Sequence, residues 1–241
     1  MKPLHYLIFH PDYARKKTEV QGKALIKNQL TDWQGSVWVD KPEGNEDPFV
    51  FSKMWLYSYC HATELRRKPS STQDYITEGS YLFFCSGDAA NKRIIQIDTV
   101  FVVDHTAEWP DNQQVIPEEF QKDYENNKSD LWERHFKYPF LGEHTGKYTY
   151  VSRQWFDRKD EYSFLPISQN SDRVAFDLGL LTPDLKSKIK NKIYGKRPVI
   201  LSEEEKTEIL NKILSLTSIQ VIGNLTKLDN ISIIGSCSTG C

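Results

Sequence analysis

The chain has 241 residues, 39% of them hydrophobic and 12% aromatic, which is enough to bury a sizeable core and too apolar for a disordered segment. A formal charge of −2 demands no polyanionic partner, although residues 186–197 carry Lys186, Lys188, Lys190, Lys192, Lys196 and Arg197 without an acid. No apolar run reaches the length of a membrane span and the N-terminus lacks a signal-peptide core, so no membrane and a cytoplasmic address are expected.

Leu4–Phe9 reads as a first strand, ended by His10, Pro11 and Asp12. Residues 13–30 are basic and polar with Leu25, Ile26 and Leu30 apolar, and are expected to be helical despite Gly22. Gly35–Val39 is a short strand, and Pro42–Pro48 is a loop rich in Gly, Pro, Asn and Asp. Phe49–Cys60 is strongly aromatic and reads as one long strand or two short ones. Arg66–Thr72 is a basic surface loop.

Tyr81–Ser86 and Ile94–Val103 are dominated by Tyr, Phe, Ile, Val and Thr. The polar turn Gly87–Arg93 lies between them, so they form the central hairpin. Trp109–Asn112 breaks the second strand, and Pro117 opens a helical segment through about Asn126. Residues 128–139 place Leu131, Trp132, His135 and Phe136 at helical spacing. Tyr148–Trp155 and Tyr162–Ile167, joined by the charged turn Asp157–Glu161, are expected to form a second hairpin.

Beyond Thr182 the composition changes. Thr182 and Pro183 start a helix carrying Leu185, Ile189 and Ile193, which Gly195 ends. Ser202 and Glu205 form a capping box before Ile209, Leu210, Ile213 and Leu214. The last residues read as a strand followed by a tail ending Gly235–Cys241. The fold class is therefore α+β: a curled, mainly antiparallel sheet over residues 1–180, with a helical appendage and tail over 181–241.

No GxGxxG or phosphate-binding lysine loop is present, and Thr145–Tyr148 lacks the upstream glycine that such a loop needs. Neither HExxH nor paired CxxC occurs, and Cys237 and Cys241 have no histidine nearby. No metal site and no cofactor are expected. Cys60, Cys85, Cys237 and Cys241 are too scattered for a disulfide framework, and Cys85 inside an apolar strand reads as a buried thiol.

The densest polar and aromatic cluster is Phe140–Phe156. His144 and Glu143 are the candidate acid–base pair, and Lys147, Tyr150, Arg153 and Trp155 the candidate ligand-binding residues. Arg or Lys can grip a phosphate while an aromatic ring stacks a base; a solvated loop entering a strand of core aromatics explains the same residues. His105 is a further acid–base candidate, and Ser86–Asp88 with Lys92 and Arg93 reads as either an anion site or a plain hairpin tip. Trp33, Trp38, Trp55, Trp109, Trp132 and Trp155 are many for this length; two or three would suffice to line an aromatic cage.

The segment Glu78–Phe84 leading into Ile97–Val103 resembles the centre of PUA-like domains, with Ser80 where that family often has Asp. These include the EVE and YTH-type readers of modified bases and the nucleotide-modification-associated domains of phage and bacterial gene clusters. Tyr150–Phe156 with Tyr162–Pro166 is similar to a motif of the latter group. The resemblance covers roughly residues 1–180. It implies a β-barrel-like domain with an aromatic cleft that recognises, or helps to modify, a nucleobase.

Three functions follow: a recognition module for nucleic acid or a nucleotide; a nucleotide-modifying enzyme using His144 or His105; or a large carrier whose tail Ile231–Cys241 presents modifiable Ser, Thr and Cys residues. The oligomeric state is left open.

Overall fold

The computed structural model describes residues 2–10, 15–40, 48–57, 65, 73–87, 91, 93–108, 118–121, 148–190 and 198–228. The expected loop at 66–72, the strand break at 109–112, the segment at 128–139, Gly195 and the tail at 231–241 lie outside them. The central hairpin forms as its composition dictates. Strand β5 (Tyr81–Gly87) is buried along its whole length and pairs antiparallel with the 15-residue β6 (Ile94–Glu108). Leu82 and Phe84 face one core while Tyr81, Phe83 and Cys85 face another, so both faces are covered and the run is continuously apolar rather than alternating.

Strand β1 (His5–His10) lies parallel to β5. Strands β4 (Leu56–Tyr57) and β7 (Tyr148–Ser152) extend the sheet beyond β6. Strand β9 (Val174–Asp177) also pairs with β6, and β10 (Val199–Leu201) closes the far edge against β1.

A four-stranded second sheet runs β3 (Gln29–Asp40), β2 (Arg15–Ile26), β11 (Thr217–Lys227), β8 (Leu165–Ser168). It supplies Val20, Ala24, Val37, Val39, Leu165 and Val221 to the core against Tyr6, Ile8, Leu82 and Phe84. The opposite face of the first sheet is covered by helices α1 (Pro183–Lys190) and α2 (Glu203–Leu216), through Leu185, Ile189, Ile209 and Ile213. The architecture is thus mixed α/β and sheet-rich, with both expected C-terminal helices. Among the described residues the sheets do not close into a barrel. Residues after 181 contribute β10 to the first sheet and β11 to the second.

Two expectations are corrected. Residues 15–26 are a strand, not a helix: Arg15, Thr18, Val20 and Ala24 are buried, and a register with β3 runs from Arg15–Asp40 to Ile26–Gln29. The turn is Lys27-Asn28, both at positive φ (51° and 62°), the conformation of a two-residue hairpin loop whose twist matches its strands. Gly35–Val39 is accordingly only part of a 12-residue strand.

The second correction concerns β7 and β8, which do not form a hairpin. Strand β7 pairs with β6 and β4, whereas β8 joins β11 in the other sheet. Of the Phe49–Cys60 run, only Leu56–Tyr57 is a strand among the described residues, with Phe49 bridged to Leu56. Residues 118–121 are helical, in line with the helix start at Pro117–Glu119.

Helix α2 has its capping box: Ser202 Oγ accepts from the Glu205 backbone N–H, and the Ser202 N–H donates to the Glu205 carboxylate. Thr182, at the start of α1, instead donates from its backbone N–H and its hydroxyl to Glu208, tying α1 to α2.

Gly223 sits where β11 shifts register against β2, at φ +72°, and its carbonyl accepts from the buried Trp55 indole at 2.8 Å. A Cβ there would lie 2.9 Å from the Phe156 ring. Gly223→Ala is expected to cost about 2 kcal/mol through backbone strain and the ring clash, read by chemical denaturation.

Candidate nucleotide-binding site

Sequence clustering singles out Tyr150, Arg153 and Trp155, and the fold disperses them. Tyr150 is buried and stacks on Tyr57 at 6.0 Å inside the core. Arg153 is 2% exposed and enclosed by carboxylates: Glu161 at 2.8 Å, Glu78 at 3.0 Å and Asp104 at 3.7 Å. Trp155 is partly buried under the Lys159 ammonium, with Phe156 edge-on to it. Glu143, His144 and Lys147 lie outside the described residues.

His105 stands beside a register shift in β6 that falls between Val103 and His105. One ring nitrogen meets Asp104 at 2.9 Å, the other Glu119 at 2.5 Å. Burial opposes the charged imidazole, but the hydrogen bonds to Asp104 and Glu119 outweigh it and raise the pKa above its ordinary value. Both ring nitrogens are engaged by carboxylates.

His5 is the opposite case. The Tyr81 backbone N–H donates to His5 Nδ1 at 3.0 Å, so Nε2 carries the proton and donates to Glu203 at 2.7 Å. Burial lowers its pKa, against the pull of Glu203.

The sign of each pH effect follows from these directions. The His5 contribution is complete above about pH 6.5 and is lost as pH falls through its lowered folded-state value. That of His105 is complete below about pH 6.5 and is lost as pH rises through its raised value. Thermal melts across this range should show His5→Gln flattening the acid limb and His105→Gln the alkaline limb. Unchanged limbs would remove these assignments.

The described residue cluster with ligand-binding geometry lies elsewhere, between β3, β6 and the turn before β9. Asp98, with a side chain 0% exposed, sits between Arg15 and Arg173, each 3.1 Å away. Arg173 Nη1 also donates to Ser86 Oγ at 2.9 Å. Its guanidinium carbon lies 4.1 Å from the Trp38 ring centroid. The Trp38 indole N–H donates to Asp172 at 2.6 Å, and the same carboxylate oxygen accepts the Arg173 backbone N–H at 2.8 Å. Ring and cation are therefore both fixed before any ligand arrives.

Trp38, Arg173 and Asp172 line a cavity of about 520 Å³ together with Gln96, Ser168 and Asn170. A flat ring, a paired guanidinium, a carboxylate, two amides and a hydroxyl around one cavity can stack a planar heterocycle and hydrogen-bond its polar edge.

None of Tyr150, Arg153 and Trp155 lies on this wall. Trp38 was among the cage candidates; its partners come from far along the chain and leave no local signature. Asp98 had one: a carboxylate inside the apolar run Ile94–Val103 must be paired if that run is buried. Among the described residues no group of His, Cys, Asp and Glu is arranged to hold a metal, and no helix is long and apolar enough to cross a membrane. No protein-family model, no curated protein and no solved structure matches the chain.

Proposed function

We infer that the chain is a recognition module for a nucleotide or a base of nucleic acid, with Trp38 stacking the base and Gln96 and Asn170 reading its edge. The observation that carries this is the Trp38–Arg173 stack, fixed by Asp98 and Asp172, on the wall of a cavity whose remaining polar groups are amides and a hydroxyl. Base stacking on an aromatic ring tolerates every base, while amides add discrimination at the edge. The PUA-like resemblance supports the same ligand class. It adds the refinement that the base is a modified one, read by a module associated with nucleotide modification. The paired β5 and β6, where that resemblance is centred, belong to the sheet that carries Asp98 and Gln96.

Calorimetric titration with nucleoside monophosphates, unmodified and base-methylated, tests the reading. Trp38→Ala is expected to weaken binding by roughly tenfold to a hundredfold, the range of one lost base–aromatic stack. Trp38 also covers Arg173 and bonds Asp172, so some loss of melting temperature accompanies the change, and Trp38→Phe, which keeps a ring for stacking, should retain most of the binding. Binding that survives Trp38→Ala unaltered removes the assignment of this cavity.

A further inference from the structure

Ser168, the last residue of β8, lies on the wall of the cavity at Trp38 and also on that of a second cavity of about 680 Å³. That cavity runs between the β2–β3 turn, the end of α2 and the start of β11. Its walls include Ile26, Lys27, Gln169, Leu214 and Ser218. The segment Ser168–Ser171 forms the saddle between the two. It is held by the Ser168 N–H donating to the Asp172 carbonyl and the Ser171 N–H donating to the Ser168 carbonyl, with Ser171 at φ +56°.

Among the described wall residues the charged groups are Asp172 and Arg173 at one end and Lys27 at the other. Arg173 is paired with the buried Asp98, so Lys27, exposed in the β2–β3 turn, is the cation that can meet a phosphate along this path. Around Lys27 the polar groups are amides and hydroxyls, and the floor is aliphatic: Leu25, Ile26, Leu214 and Ile219. A phosphodiester followed by a sugar and a second base offers that sequence of chemistry: an anion for the cation, hydroxyls for the amides, and a flat apolar face for the aliphatic floor.

We propose that the two cavities form one groove that binds two consecutive nucleotides of a single strand, the first base at Trp38 and the linking phosphate and second nucleotide passing Ser168 towards Lys27. This rests on the nucleotide reading of the Trp38 cavity and extends it from a single nucleotide to a strand.

Calorimetry of the full chain with a mononucleotide and with the matching dinucleotide separates the two ideas. The dinucleotide is expected to bind at least about tenfold more tightly, from burial of the second base against the aliphatic floor and one neutralised phosphate. Ser218→Trp fills the second cavity from an exposed strand position, and Lys27→Asn removes the cation while keeping a residue that tolerates positive φ. Ser218→Trp should bring dinucleotide affinity down to the mononucleotide level, Lys27→Asn should remove part of the gain, and both should leave mononucleotide affinity unchanged. Against a longer single-stranded oligonucleotide, Lys27→Asn should also lower the slope of log affinity against log salt by about 0.7.

Equal affinity for the two ligands, or a Ser218→Trp variant that still prefers the dinucleotide, overturns the strand proposal while the single-base reading stands. Failure of both ligands to bind overturns both.

Discussion

Asp98→Ala is expected to destabilise the protein by about 4 kcal/mol, because it leaves Arg15 and Arg173 facing each other in the interior without the carboxylate between them. For a chain of this length that is a fall in melting temperature of about 10 °C. The size of the effect comes from desolvation. The Arg15 and Asp98 side chains are 2% and 0% exposed, so water cannot replace the missing partner. The effect should reach the ligand as well, since Arg173 is held under Trp38 by Asp98 and Ser86. Thermal melts and nucleotide titration of the same variant therefore read two losses. A melting temperature within about 2 °C of the parent would show that the two arginines are neutralised without Asp98.

Arg153→Ala is expected to cost about 3 kcal/mol, with nucleotide affinity unchanged. The guanidinium is buried, and Glu161, Glu78 and Asp104 converge on it from the turn after β7, the segment before β5 and strand β6. These carboxylates are 40–64% exposed, so water recovers part of their solvation once the cation is gone, and the cost is set below that of Asp98→Ala. Arg153→Lys should restore only a fraction, because a point charge on a flexible stem cannot reach three carboxylates at once. Urea unfolding of the three proteins measures this. Lost binding with unchanged stability would instead return Arg153 to the ligand.

The hairpin of β5 and β6 was legible because both faces of β5 are covered, so apolar residues run without a break and no period has to be judged. Helix α2 was legible from its capping box, a purely local signal. Strand β2 was not: its inward positions include Thr18, Gly22 and Ala24, weakly apolar residues that hide a period of two, while Leu25 and Ile26 at its end suggest a helix. The turn at 157–161 suggested a local hairpin, but β8 found its partner in β11, about fifty residues on.

The candidate site followed the same rule. Residues 143–155 are dense in functional groups along the sequence, yet what surrounds Arg153 was set by Glu78 and Asp104, which no local pattern connects to it. Trp38 and Asp172 are 134 positions apart, a proximity created only when β3 passes the turn before β9.

The threading of β1 and β11 governs how this protein comes off the ribosome. His5 pairs with Leu201, and β2 finds β11 only when residues up to 227 are available. The β2–β3 hairpin can close as soon as it emerges, since its turn is local. Its outer edge, and that of β1, must then wait until their partners, about two hundred residues further along the chain, have been made, roughly ten seconds or more at ordinary rates of synthesis. During that interval β1 and β2 present open backbone to any other nascent chain, so occupancy by a chaperone in the cell, or dilution in the refolding tube, governs the yield of native protein.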